Sequence, residues 1–334
     1  MIKSIKKLLK TTGAVTAGAA AIGAVAYATT KFLVKTDIDR EQPDIMKKNG
    51  EKISGGKDNE EFKQLCKDAA QALRESEHEL VEIMASDGTK LIGHFFPQEN
   101  AKRIIIAFHG WRSSWDFDFG TISDFWENNG CSVLYAEQRG QNESGGEYIG
   151  FGLTERYDCV DWVNWVNCRC GKNTPIYLAG VSMGATTVLM ASDLELPDNV
   201  NGIIADCAFT SPQEIFKHIA KNNLHISYGW RSSLVNTISR KKLNVGLDDY
   251  STVKALENAK VPVLFIHGTD DHFVPVSMTY ENYKACIAPK KLLIVPGAEH
   301  AMSYFINKSE YEKAVEDFWD EFDKANESNE GSTV

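Results

Sequence analysis

A serine with glycines two residues before and two residues after it lies near the middle of this 334-residue chain. The segment Gly180-Val181-Ser182-Met183-Gly184 follows an apolar run and precedes a run that is typical of a helix. A strand, a sharp glycine-flanked turn and a helix together form a nucleophile elbow, which exposes the serine hydroxyl for attack. The following helix directs its free N–H groups toward the same point. A glycine-flanked turn without chemistry is the alternative interpretation.

A serine hydroxyl is a weak nucleophile at its own pKa and needs a base within hydrogen-bonding reach. His300 is the candidate base, because a histidine titrates near neutral pH and can return the proton to the leaving group. A carboxylate must orient that imidazole. Asp270 and Asp271 stand side by side after an apolar run, and neighbouring residues point in different directions, so only one of them can reach the histidine. Asp206 also ends a predicted strand and is the rival acid.

Alternating strands and helices must position these residues. A hairpin with an Asp87-Gly88 turn is expected over residues 80–96. Continuous apolar strands, which indicate a sheet covered on both faces, follow at Ile104–Phe108, Ser132–Ala136, Pro175–Val181, Gly202–Ala205, Val261–Ile266 and Leu292–Val295. The predicted fold class is α/β, with a mostly parallel sheet flanked by helices, a leading β-hairpin and a helical lid insertion. Ligands bind outside the carboxyl ends of such strands.

Four segments are predicted along the chain. They are an N-terminal anchor or signal segment (1–36), a linker with a short helix (37–77), the main domain (78–326) and a polar tail (327–334). Residues 210–252 interrupt the strand–helix alternation with aromatic and basic side chains, and they are expected to cover the strand ends as a lid. A surface helical excursion without contact to substrate is the alternative.

The N-terminus has its own pattern. Four lysines among the first ten residues precede a stretch of twenty uncharged residues, Thr11 to Thr30. As a helix this stretch would be about 30 Å long, which is enough to cross a bilayer. A single-pass anchor that associates the protein with a membrane is the favoured interpretation. A signal peptide cleaved after Ala28, which would give a secreted protein, is the alternative.

Charge and cysteine content exclude several classes of function. The net charge of −10 argues against a nucleic-acid partner. The seven cysteines have scattered spacings without a Cys-x-x-Cys pair, so neither a zinc site nor another metal or cofactor is expected. Cys131 and Cys207 lie at or within apolar runs and are interpreted as core residues.

With serine, acid and histidine in this chain order, residues 80–325 resemble the α/β-hydrolase superfamily. The segments that carry the resemblance are His109-Gly110-Trp111, which looks like the oxyanion loop, Glu137–Ser144, Gly268–Pro275, which matches Gly-x-x-Asp-x-x-Val-Pro, and Glu299-His300-Ala301. The segment Glu137–Ser144 looks like the family's Asp-x-Arg-Gly-x-Gly-x-Ser loop but departs from it at Glu137 and Asn142. The lysine-rich N-terminal span, Ala205–Phe209 and Glu299–Tyr304 look like a group of N-terminally anchored bacterial hydrolases, related to serine aminopeptidases and acyl-ester hydrolases.

The resemblance implies a catalytic triad of Ser182, His300 and Asp271, because the family's acid stands three residues before a Val-Pro pair. It also implies an oxyanion hole formed by the backbone N–H groups of Met183 and Trp111. The implied activity is that of a serine hydrolase that cleaves a small-molecule acyl ester through an acyl-enzyme intermediate. A serine peptidase or aminopeptidase with the same triad is one alternative. A non-catalytic, membrane-tethered binding module on the same fold is the other.

Overall fold

An eight-stranded sheet runs through the computed structural model, which describes residues 23–25, 27–42, 60–225 and 227–330. Its strands are β1 (Glu79–Met84), β2 (Lys90–Phe96), β3 (Arg103–Phe108), β4 (Cys131–Ala136), β5 (Ile176–Val181), β6 (Val200–Asp206), β7 (Val263–Gly268) and β8 (Lys290–Val295). Their order across the sheet is β1-β2-β4-β3-β5-β6-β7-β8. Strand β2 pairs antiparallel with β1 and with β4, and all other neighbours pair in parallel. The predicted α/β fold class is confirmed.

Helices precede the sheet, cover its faces and connect its strands. Within the described residues they are α1 (27–38), α2 (Glu60–Glu75), α3 (Trp115–Asn128), α4 (Glu155–Cys170), α5 (Met183–Ala191), α6 (Pro212–His218), α7 (Ser232–Leu243), α8 (Thr252–Leu256), α9 (Val276–Ala285), α10 (Ser303–Ile306) and α11 (Lys308–Glu330). A π-helical turn (Ile219–Asn223) follows α6, and a 3-10 turn (Gly229–Arg231) precedes α7.

The sheet is rigid at its centre because both of its faces are buried. Every residue of β4, β6 and β7 is buried. One face packs against α4 and α5, where Trp162 and Val188 are buried, and the other packs against α3 and α11, where Trp126 and Trp319 are buried. Burying an apolar side chain of this size contributes about 1.5–3 kcal/mol. The carboxyl ends of the parallel strands are therefore fixed points for functional loops.

The segment between β6 and β7 is helical, as predicted for the lid. It contains α6, the two irregular turns, α7 and α8. Side chains of α6 and α7, among them Phe216 and Val235, share a third apolar cluster with Met183 at the start of α5 and Val274 in the loop after β7. The lid helices thus pack over the end of the sheet at which the candidate polar residues are found.

The N-terminal region differs from its predicted segmentation. The boundary predicted at residue 36 falls inside α1, and Val34 and Ile38 on this helix are only 2% and 0% exposed because they pack into the third cluster. Most of the predicted anchor, residues 1–22, lies outside the described residues. Among the helices that the structure describes, none combines the length and the apolar character needed to cross a membrane.

The predicted linker also contains packed structure. Helix α2 matches the short helix expected there and lies against α3, where Gly120 permits close contact: a Cβ at this position would lie 2.7 Å from the carbonyl carbon of Ala69. Residues 60–75 are therefore packed against the domain rather than separate from it.

Candidate active site

The nucleophile elbow is formed by the tight connection between β5 and α5. Ser182 has φ 55° and ψ −114°, a left-handed conformation that costs energy for a residue with a side chain. Its backbone N–H donates to the carbonyl of Asp206 at 2.9 Å, which ties the elbow to β6. The glycines are required by space: a Cβ on Gly184 would lie 1.8 Å from the carbonyl oxygen of Phe108, and one on Gly180 would lie 2.3 Å from the backbone of Gly184. The strained geometry presents the Ser182 hydroxyl at the strand end.

A chain of hydrogen bonds joins the three residues that the sequence analysis selected as a triad. The hydroxyl of Ser182 lies 2.9 Å from Nε2 of His300, and Nδ1 of His300 lies 2.6 Å from Oδ2 of Asp271. These distances allow a proton to pass from the hydroxyl to the imidazole. Ser182 is only 7% exposed, so its side chain is largely shielded from solvent at the strand end.

Backbone and histidine contacts fix the carboxylate of Asp271. Its Oδ1 accepts hydrogen bonds from the N–H groups of Phe273 and Val274 at 2.9 and 2.8 Å. Its Oδ2 lies 3.1 Å from Nε2 of His267, in addition to its contact with His300. Because every oxygen has partners, the carboxylate is held in the orientation that the imidazole requires.

The two rival acids are placed differently. Asp270 is exposed and accepts a hydrogen bond from the hydroxyl of its neighbour Thr269 at 2.8 Å. Asp206 is buried, and its Oδ1 accepts from the hydroxyl of Ser303 at 3.2 Å. Burial raises the pKa of Asp206 to about 6, although His267 lowers it. The imidazole of His300 is hydrogen-bonded to Asp271 rather than to either of these residues.

Mutual contact sets the ionisation of His300 and Asp271. Burial opposes the imidazolium, but the Asp271 carboxylate outweighs this effect and holds the pKa of His300 well above its usual range. Burial also opposes ionisation of Asp271, but His300 and His267 outweigh it and hold the pKa of Asp271 well below its usual range. The site thus stabilises a carboxylate beside an imidazolium, which is the charge state that forms when a histidine accepts a serine proton.

The loop after β3, here called the oxyanion loop (residues 109–113), is held by a neutral histidine. Nδ1 of His109 donates to the carbonyl of Gly110 at 2.8 Å, and its Nε2 accepts from the N–H of Gln138 at 3.1 Å. Burial lowers the pKa of His109, although Asp118 raises it. Because one ring nitrogen donates and the other accepts, the neutral imidazole joins the ends of β3 and β4.

Asp118 holds the same loop from α3. Its Oδ2 accepts from the N–H of Gly110 at 2.6 Å, and its Oδ1 accepts from the hydroxyl of Ser113 at 2.5 Å. Trp111 follows Gly110 directly, and Met183 is the first residue of α5, where a backbone N–H has no acceptor within the helix. The expected oxyanion donors therefore belong to two adjacent, well-fixed segments.

The two departures from the family's loop pattern have local explanations. Glu137 accepts from the N–H groups of Glu143 and Ser144 at 2.6 and 3.2 Å and lies 3.0 Å from Nε2 of His94, so its longer side chain closes the loop. Asn142 has φ 46°, a left-handed conformation that asparagine tolerates better than most residues. Where the family has aspartate and glycine, this chain keeps a closed loop by different contacts.

Among the described residues, one group of side chains brings together three atoms of the kinds that bind metal ions. Atoms of Cys207, Asp271 and His300 lie within 4.8 Å of one another. Burial raises the pKa of the Cys207 thiol to about 11, whereas a metal ligand must be a thiolate. Since His300 and Asp271 already bond each other, the arrangement fits proton transfer better than metal binding.

The sequence analysis missed three contributors to the site. Asp118 lies in the first turn of α3, His267 was not singled out for a role beside the acid, and Arg112 carries no motif of its own. The available signal was the alternation of acidic and aromatic residues over Trp115–Phe119, which includes Asp118. Only the fold brings these residues to the loops.

Comparison with known proteins identifies the class. A family model described as the alpha/beta hydrolase fold matches residues 103–259. An esterase of Pyrococcus furiosus superposes on this chain with a TM-score of 0.62 at 22% sequence identity. The superposition covers 77% of this chain and 93% of the esterase chain. The architecture, the elbow and this match show that the chain has the alpha/beta hydrolase fold.

Two bacterial proteins are similar to this chain in sequence. The uncharacterised protein YqkD of Bacillus subtilis is 29% identical over 198 residues, which is 59% of this chain and 65% of that protein. The chain thus spans slightly less than two thirds of this relative. The uncharacterised protein YfhR of Escherichia coli K12 is 26% identical over 231 residues, 66% of this chain and 73% of that protein.

Proposed function

We propose that the protein is a serine hydrolase that cleaves acyl esters through an acyl-enzyme intermediate. The observation that carries the proposal is the continuous hydrogen-bond chain from Ser182 through His300 to Asp271, at distances of 2.9 and 2.6 Å, on an elbow of left-handed geometry. His300 removes the hydroxyl proton as Ser182 attacks the ester carbonyl, and it then protonates the departing alkoxide. Water repeats the cycle on the acyl-enzyme and releases the acid.

The tetrahedral intermediate needs donors for its oxyanion. The backbone N–H groups of Met183 and Trp111 are proposed to supply them, and each such donor is worth about 3 kcal/mol in related sites. The fixed oxyanion loop and the start of α5 support this assignment, because donors that are already oriented cost no rearrangement during the reaction.

An ester is favoured over an aminopeptidase substrate. An aminopeptidase needs a carboxylate that is available to a substrate ammonium group, and the lid acids that could serve are paired with bases of the same lid. Glu214 lies 3.1 Å from Lys217, and Asp248 and Asp249 both pair with Arg240. The apolar cluster at the lid favours an apolar acyl group instead.

The test is labelling with a fluorophosphonate probe, which reacts with activated serines. Wild-type protein should label and should hydrolyse p-nitrophenyl esters faster than aminoacyl-nitroanilides, whereas Ser182→Ala should do neither. Unchanged thermal unfolding of the variant would show that only the nucleophile is lost. Absence of labelling in the wild type, under conditions that label a known hydrolase, would favour the non-catalytic binding module.

Membrane association through the N-terminal segment is the second part of the proposal, and the sequence supports it. Residues 11–30 are uncharged and follow four lysines. Fractionation of cells should place the full-length chain with membranes. Intact chain in the soluble fraction would contradict the anchor, and a mature chain that begins at Thr29 would indicate a cleaved signal peptide.

A further inference from the structure

The end of α1 and the residues after it contact the oxyanion loop directly. The indole N–H of Trp111 donates to the carbonyl of Asp37 at 3.0 Å. The guanidinium of Arg112 donates to the carbonyls of Thr36, Asp39 and Arg40 at 2.8, 2.5 and 3.1 Å. Four carbonyls at and just beyond the C-terminus of α1 are thus bonded to two consecutive residues of the loop.

These contacts match what a helix end requires. The last carbonyls of a helix have no partners within it and carry a partial negative charge, so a cation there is favourable. Arg112 supplies that cation in a rigid fork that reaches several carbonyls at once. Arg112 itself has φ 53°, a left-handed conformation that its contacts must maintain.

A second set of contacts holds the N-terminal segment in place. The N–H of Arg40 donates to the carbonyl of Glu147 at 2.9 Å, and the N–H of Ile149 donates to the carbonyl of Ile38 at 2.7 Å. Lys242 of the lid lies 2.6 Å from Asp39. The segment is therefore anchored to the loop after β4 and to the lid, independently of Arg112.

We propose that residues 27–42, here called the strap, position the oxyanion loop for catalysis, and that Arg112 is the positioning residue that transmits their position to the N–H of Trp111. The inference depends on the proposed hydrolase function. The strap holds in place the carbonyls to which Trp111 and Arg112 donate. These hydrogen bonds hold the backbone of Trp111 and Arg112, and therefore the N–H of Trp111, where the oxyanion forms. A loop without this support would still bind substrate but would stabilise the transition state less well.

The experiment compares Arg112→Ala with Arg103→Ala in the full chain. Arg103 begins β3 at the opposite end of the sheet, where it lies 2.5 Å from Asp323, so its loss tests for general destabilisation. The measurements are kcat, KM and the inhibition constant of a boronic acid, which becomes a tetrahedral anion on the serine. Trp111→Phe serves as a milder variant that removes the indole N–H but keeps an aromatic ring, and it remains informative if Arg112→Ala does not fold.

For Arg112→Ala we expect kcat to fall roughly 10- to 100-fold with little change in KM, which is less than the loss of a direct oxyanion donor. Affinity for the boronic acid should fall by a similar factor. Trp111→Phe should lower kcat and the affinity for the boronic acid by smaller factors. Arg103→Ala should alter thermal stability without altering kcat or inhibition. Arg112→Lys should recover only part of kcat, because an ammonium group cannot bond the carbonyls as a fork.

Normal kcat and inhibition in both loop variants would overturn the inference, as would equal losses in Arg103→Ala. A wild-type protein that fluorophosphonate does not label would refute the proposed function instead. The two failures are therefore distinguishable.

Discussion

Nε2 of His267 lies 3.1 Å from Oδ2 of Asp271, the same oxygen that contacts the imidazole of His300. This nitrogen also lies 2.9 Å from the carbonyl of Val274, while Nδ1 of His267 lies 2.7 Å from the hydroxyl of Thr279. Two acceptors face Nε2, so this nitrogen carries the proton and donates to the carboxylate. His267 is completely buried and acts as a fixed support for the acid.

The first prediction tests this support with a matched pair of variants. In His267→Gln the amide nitrogen can take the place of Nε2, whereas in His267→Asn the shorter side chain cannot. We expect His267→Asn to lower kcat roughly 10-fold, about 1.4 kcal/mol in activation free energy, and His267→Gln to stay near wild type. Steady-state kinetics with one ester checks both, and equal losses would mean that packing rather than the hydrogen bond matters.

The second prediction separates the two adjacent aspartates. Asp271→Asn should lower kcat by about 10⁴, the loss seen when the amide replaces the acid of an analogous triad. Asp270→Asn should retain near-normal kcat, because the Asp270 side chain is exposed and bonds only the neighbouring hydroxyl of Thr269 among the contacts described. Parallel measurement of kcat in both variants checks this. The reverse ranking would reassign the acid, and two normal variants would direct attention to Asp206.

The third prediction concerns pH. The base form of His300 is required for attack, and Asp271 raises the pKa of His300 well above its usual range despite burial. The value of kcat/KM should therefore rise with pH, with an apparent pKa above about 6.5, the ordinary value for histidine. In Asp271→Asn the carboxylate is lost, so the remaining activity should show this transition at lower pH. A transition at or below 6.5 in wild type would contradict the stabilised imidazolium.

Local sequence patterns predicted the elements of this fold well. The apolar runs marked strands β3–β8, and the short helix predicted within residues 37–77 is found as α2 at Glu60–Glu75. Such patterns succeed because burial on both faces of a strand leaves a continuous apolar run, whereas burial on one face of a helix leaves a periodic apolar pattern. They also located the elbow, since Gly184 has no room for a side chain.

Contacts distant in sequence could not be predicted in this way. The pairing of Arg112 with carbonyls about 70 residues earlier depends on where α1 packs against the domain. The sequence before and within α1 does not indicate this position, because an uncharged run that ends at Thr30 indicates only a hydrophobic segment. Likewise, nothing near Asp118 in the chain indicates that Gly110 is its partner. Local sequence patterns can therefore identify the motif residues, whereas the side chains that orient them can be identified only from the tertiary fold.

The fourth prediction tests the close contact at the elbow. A Cβ on Gly184 would lie 1.8 Å from a backbone oxygen of β3, which cannot move aside as a flexible side chain can. Gly184→Ala should therefore lower the free energy of unfolding by at least about 3 kcal/mol, the upper end for an overpacked core. Gly229→Ala is the control, because nothing lies within 4 Å of its Cβ position and its change should stay within about 1 kcal/mol. Urea unfolding measures both, and a fully stable Gly184→Ala would contradict the described elbow.

The fifth prediction concerns how the lid selects substrates. Phe216 on α6 and Val34 on α1 line a small cavity of about 50 Å³ between the lid and the N-terminal helix, within the apolar cluster that includes Met183. Removal of the Phe216 ring enlarges this space, and each additional methylene that an apolar pocket accepts is worth about 1–3 kcal/mol. Phe216→Ala should therefore raise kcat/KM for p-nitrophenyl octanoate relative to the butyrate by roughly 10-fold or more, with little change in the rate of labelling by a small fluorophosphonate.

The control for this effect is Phe125→Ala on the opposite face of the sheet. Phe125 is stacked on Trp319 with ring centroids 5.4 Å apart, far in sequence and in packing from the lid cluster. Both substitutions remove a buried ring and should cost about 3–5 kcal/mol of stability, so stability alone cannot separate them. If the lid selects the acyl group, only Phe216→Ala changes the ratio between the two esters. An equal change in both variants, or a parallel fall in both ester rates and probe labelling, would mean that the lid supports the fold without choosing the substrate.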